Sequence, residues 1–102
     1  MAEHIGKQLD PNEVSAALAD LPNWTGDTNA LHRDAALPSF PAAIAAVDKV
    51  ALVAEELDHH PDIDIRWRNL KFELSTYAVG HHVTTSDVEL AHRIEAILNS
   101  AS

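Results

Sequence analysis

The stretch Ala54 to Trp67, AEELDHHPDIDIRW, holds the change of periodicity on which the fold turns. Upstream of it, from Pro41 to His59, the residues Ile44, Val47, Val50, Ala51, Ala54 and Leu57 recur at helical spacing. Pro61 disfavours helical geometry in the residue before it, so the helix stops at the paired histidines. Beyond Pro61, Ile63, Ile65 and Trp67 alternate with Asp62, Asp64, Arg66 and Arg68, the pattern of a half-buried strand. A long helix, two imidazoles and a strand thus follow one another with no spacer.

Working outward, the next strand is predicted from Phe72, Leu74 and Thr76 alternating with Lys71, Glu73, Ser75 and Tyr77, after a turn near Arg68 to Leu70. Thr84 to Asp87 has the T-x-x-D spacing of a helix start, and Val88, Ala91, Ile94, Ile97 and Leu98 carry a final helix from about Thr85 to Asn99. Towards the N-terminus, Asp10-Pro11-Asn12-Glu13 offers a cap, a proline for the first helical position and an acid for the first turn, opening a helix from Pro11 to Asp20. Asn23 to Asp27 and Ala30 to Leu37 read as two short strands. The order helix, strand, strand, helix, strand, strand, helix predicts an α+β domain, a four-stranded antiparallel sheet with three helices packed on one face. Ala42, Ala45, Ala46, Leu52 and Val53 widen the apolar face of the long helix, which suggests burial on two sides, one of them against another subunit.

Length and composition bound the function. One domain, residues 1 to 102, accommodates the whole chain, with 46% hydrophobic residues for a small core. Seven Lys and Arg against 16 Asp and Glu give a formal charge of -9, which argues against direct grip on a nucleic-acid backbone or an anionic membrane surface. With no cysteine, a disulfide framework and a thiolate metal site are excluded. The opening MAEHIGKQLDP lacks the features of a signal peptide, and the expectation is a soluble cytoplasmic protein.

Four of the seven histidines fall in two loops, His59-His60 and His81-His82. Three readings stand side by side. They are solvated turn residues, with His59 favoured by the helix dipole; they are metal ligands with Asp58, Asp62 or Asp87, although neither pair has the spacing of helical zinc ligands; or they do acid–base chemistry, for which an imidazole with a pKa of about 6.5 is suited.

AEELDHHPDIDIRW, followed by LKFELSTY and TTSDVELAHRIEAI, resembles the pterin-4a-carbinolamine dehydratase family from Trp24 through the final helix. The resemblance implies a hydro-lyase that dehydrates 4a-hydroxytetrahydropterin to quinonoid dihydropterin in tetrahydropterin recycling, without a metal or other cofactor, as a homodimer or homotetramer. It assigns the family's paired histidines to His59 and His60, its proline to Pro61, its upstream acids to Glu55 and Asp58, and its last-helix aspartate to Asp87. The family's third histidine follows a threonine, and here Thr76 is followed by Tyr77. The loop after it, AVGHHV, is one residue longer than the family pattern. The expected site is therefore His59, His60 and Tyr77 as catalytic groups, with Glu55, Asp58, Pro61, Asp87, His81 and His82 around the substrate. Two explanations compete: His81 or His82, on the lengthened loop, restores an imidazole near the lost position, or the site has decayed. The alternative implied by the wider family is an inactive homologue that binds a pterin or a protein partner, as an assembly factor for another enzyme does.

Overall fold

The computed structural model describes residues 6–101. Residues 1–5, on which part of the reading of the N-terminus rests, and residue 102 lie outside the described residues.

Helix α1 spans Pro11–Ala19 and starts as its sequence dictates: Asp10 accepts from the Glu13 amide, Glu13 accepts in return from the Asp10 amide, and Pro11 needs no partner in the first turn. It ends one residue earlier than expected, with Asp20 as its cap. Strands β1 (Thr25–Gly26) and β2 (Leu31–Ala36) form the first hairpin, shorter at both strands than the pattern suggested. Helix α2 spans Phe40–Leu57, capped by Ser39, and β3 (Asp62–Arg66) and β4 (Asn69–Leu74) form the second hairpin. A single 3-10 turn, Tyr77–Val79, leads to helix α3, Thr85–Ala101.

The sheet is antiparallel throughout, in the order β1-β2-β4-β3. In this register Leu31, Arg33 and Ala35 of β2 stand with Phe72, Leu70 and Leu74 of β4 on the helix side, whereas His32, Asp34, Lys71 and Glu73 line the other face with Asp62 and Asp64. Leu31, Leu70, Phe72 and Leu74 are fully buried against Val50, Leu90 and Ile94, the core that holds the helices on the sheet. Helix α2 packs on α3, and Ala43, Ala46 and Ala54 on the first and Ala91 on the second are all buried.

Four local expectations change. The second hairpin turns at Trp67-Arg68, between the last paired residues Arg66 and Asn69, so Trp67 leaves the inward row, takes a left-handed φ of 59° and is 69% exposed. Strand β3 is an edge strand with only Ile63 partly buried, since among the described residues no strand pairs with its far side; Ile65 is exposed. Strand β4 stops at Leu74, and Tyr77 opens the 3-10 turn instead of continuing the alternation. The buried stripe of α2 is also rotated: Ala43, Ala46, Val50 and Ala54 face inward, while Ile44, Ala51 and Leu52 remain exposed.

Candidate active site

The helix end sets the geometry of the paired histidines. Asp58 adopts φ 51°, ψ 44°, and this left-handed residue lets the His59 amide donate to the Ala54 carbonyl while the Asp58 amide donates to Glu55, closing the last turn back on itself. Aspartate tolerates that conformation better than most residues, though at a cost glycine would not incur. The reversal sends adjacent side chains in different directions.

His59 turns inward and is 1% exposed, so the reading of both histidines as solvated turn residues does not hold for it. Its Nε2 lies 2.6 Å from Oδ1 of Asp87, which is wholly buried at the start of α3. Facing a carboxylate oxygen, Nε2 carries the hydrogen and donates. The other Asp87 oxygen accepts from the Thr84 amide at 2.8 Å and from the Thr76 hydroxyl at 2.8 Å, and Thr84 Oγ1 donates in turn to Thr76. The T-x-x-D spacing thus marks a helix cap, as the sequence suggested, but the same carboxylate also anchors a histidine 28 residues away. A buried acid is tolerable only when its oxygens are supplied with donors, and here they are.

His60 turns outward. Its Nε2 pairs with Oε2 of Glu55, one turn back on α2, and both side chains are well exposed. Asp58, His59, His60, Pro61, Asp62, Ser75 and Tyr77 line one cavity of about 400 Å³. Tyr77 is half exposed, and its hydroxyl donates to Asp62 Oδ2 at 2.7 Å. That hydrogen bond, with some loss of hydration and the charges of Asp62 and Glu73, raises the Tyr77 pKa above the ordinary phenol value, so it is a hydrogen-bonding group and not a base near neutral pH.

The expected site residues therefore separate. His59, His60, Asp58, Pro61 and Tyr77 share the cavity wall, with Glu55 behind His60. Asp87 stands behind His59, sealed from the cavity by its burial, where substrate contact had been expected. His81 packs its ring against Tyr77 at 4.7 Å and reaches Glu73 at 3.9 Å. His82 goes elsewhere, hydrogen-bonding the Leu9 carbonyl at 3.0 Å between the N-terminal segment and the last helix, so it is no substitute imidazole. Sequence reasoning named Asp62 only as a metal-ligand candidate and Thr84 only as a helix start, and it missed Ser75 and Thr76. Asp62 and Thr84 had local signals, an acid next to the HHP run and the T-x-x-D spacing, whereas Ser75 and Thr76 have no local signal and join the site through the fold. Among the described residues, no group of three or more His, Asp or Glu side chains is arranged to hold a metal ion.

A helix-backed antiparallel sheet with carboxylate-paired histidines beside one cavity is an arrangement able to move protons at a bound ligand. Comparison with known proteins gives the class. The sequence profile described as "Pterin 4 alpha carbinolamine dehydratase" matches residues 7–97, and the chain belongs to that family. A Mycolicibacterium smegmatis relative named "Putative pterin-4-alpha-carbinolamine dehydratase" is 48% identical over 91 residues, 89% of this chain and 96% of its own. A Nocardia farcinica relative of the same name is 47% identical over 89 residues, covering 87% and 93%. The crystal structure of a protein described as a transcriptional coactivator/pterin dehydratase from Brucella melitensis superposes with a TM-score of 0.85 at 29% identity, over 90% of this chain and 99% of the other. A pterin dehydratase-like protein described as a RuBisCO assembly factor in the alpha-carboxysome shares the fold, with a TM-score of 0.60 at 22% identity, over 74% of this chain and 86% of its own.

Proposed function

We propose that the chain dehydrates 4a-hydroxytetrahydropterin, a hydro-lyase reaction, in the cavity between His59, His60 and Tyr77. The observation that carries this reading is the pairing of each adjacent imidazole with its own carboxylate in opposite surroundings, His59 with Asp87 in the core and His60 with Glu55 at the surface. Loss of water requires one proton delivered to the departing hydroxyl and one taken from the ring nitrogen. His60, facing solvent, can exchange its proton with water between turnovers and is the group that shuttles. His59 cannot exchange so freely; held in one tautomer by Asp87, it keeps a fixed orientation against the ligand. Glu55 holds the His60 ring by its Nε2.

Stopped-flow dehydration of freshly generated 4a-carbinolamine tests the reading. His60→Ala should lower the enzymatic rate by about 10² to 10⁴-fold, the range of a general acid–base group. If wild type gives no acceleration yet binds a reduced pterin by calorimetry, the chain is a pterin-binding protein. If neither occurs, the family's role in assembling a partner is the one left.

We also propose that the working form is a homo-oligomer. Phe40, Ile44 and Leu52 of α2 and Ile65 and Trp67 of the second hairpin are exposed, more large apolar surface than a lone domain of this size ordinarily shows water.

A further inference from the structure

The other group in the cavity with no counterpart in the family's histidine pattern is Tyr77, and its surroundings define what it can do. Asp62 of β3 stands directly opposite Glu73 of β4 in the ladder, on the solvent face of the sheet. Like charges opposed in an antiparallel pair are unfavourable, so each carboxylate should have donors of its own. Asp62 takes the Tyr77 hydroxyl at 2.7 Å. Glu73 lies 3.6 Å from His32 and 3.9 Å from His81. His81, on the lengthened loop at φ 64°, sets its ring at 64° to the Tyr77 ring with centroids 4.7 Å apart, so the loop braces the tyrosine. Asp62 lies at a seam, lining both the 400 Å³ cavity and the 530 Å³ groove on the open face of the sheet.

We propose that Asp62 is a positioning residue for Tyr77: by engaging the phenolic hydrogen, it leaves the Tyr77 oxygen as a hydrogen-bond acceptor towards the cavity, and the site thereby selects a ligand with an N–H or O–H donor at that end. A phenol has one hydrogen and two lone pairs, and once the hydrogen is committed to a carboxylate only accepting remains. The ligand-selecting half of this inference rests on the proposed pterin reading, in which the ring N–H is such a donor.

Tyr77 is the only tyrosine of the chain, so its ionisation can be followed by near-ultraviolet absorbance without ambiguity. In the intact protein it should titrate above the ordinary phenol value of about 10, and in Asp62→Ala it should fall back towards it. Both Asp62 and Tyr77 are exposed, and circular dichroism should show their variants folded. With the carbinolamine, Tyr77→Phe and Asp62→Ala should each raise KM about tenfold with little change in kcat, and the double variant should raise it no further than either alone, since the two act as one unit. Asp62→Asn, whose amide oxygen still accepts, should restore most of the affinity. A Tyr77 titration unchanged in Asp62→Ala, or losses that multiply in the double variant, overturns the proposal. If wild type neither dehydrates the carbinolamine nor binds a reduced pterin, the ligand-selecting half falls with the pterin reading, and the titration alone decides whether Asp62 positions Tyr77.

Discussion

His59 and His60 are neighbours in the chain, and one backbone conformation at Asp58 gives them unlike environments. Replacing Asp58 with glycine should remove the left-handed penalty and stabilise the fold by about 0.5–1 kcal/mol, measured by urea denaturation. The same variant removes a carboxylate from the cavity wall, so any effect on turnover will be read against a protein that is, if anything, more stable. Thr76 offers a sharper test of the buried network. Thr76→Val keeps the shape but deprives the fully buried Asp87 of a donor, and should cost about 1–3 kcal/mol. His82→Ala should leave carbinolamine turnover at the wild-type rate while costing about 1 kcal/mol of stability, because its partner is the Leu9 carbonyl and not the ligand.

Among the elements, α3 is tied to the sheet by a polar cluster around Glu95. One carboxylate oxygen accepts from Trp24 Nε1 at 2.8 Å and Arg33 Nε at 2.9 Å, and the other from Asn23 and Arg33 Nη2. Burial pushes this carboxyl up, but the hydrogen bonds from Arg33, Asn23 and Trp24 with the Arg33 charge outweigh it and hold the pKa below the ordinary value. A carboxyl depressed in the folded state contributes stability above its unfolded pKa and loses it as pH falls through the folded one. Glu95→Gln should therefore be less stable than wild type at neutral pH, with the gap closing as the pH drops below about 4, where wild type becomes protonated too. Equal pH dependence of the two thermal midpoints would show that the cluster carries no such linkage. Ser39 caps α2, and Ser39→Ala, which deprives the Ala42 amide of its acceptor, should cost about 1 kcal/mol.

At the level of the whole molecule, the exposed apolar side chains of α2 and the second hairpin set the expected association: light scattering should give a multiple of the 11.1 kDa chain mass, and Ile44→Lys should return it towards the monomer with helix content retained. Ile44 lies outside the buried row of α2, so the charge does not enter the core. The element order, the cap at Asp10 and the break at Pro61 are all local matters, since side-chain period, cap chemistry and proline geometry act within a few residues. Those signals determined the α+β class, and HHP with its neighbours pointed to the family. What sequence could not decide was which side of an element meets another. The α2 stripe was displaced because α3 and the sheet, not the richest apolar row, select the face that packs. Trp67 went into the turn because the register with β4 closes at Arg66 and Asn69. Asp87 came to hold His59, Asp62 came to hold Tyr77, and His82 was drawn away to Leu9, each through a contact across at least 15 residues. Periodicity carries the inside and outside of a single element, but a hydrogen bond between elements exists only once the packed core has set their distance and rotation.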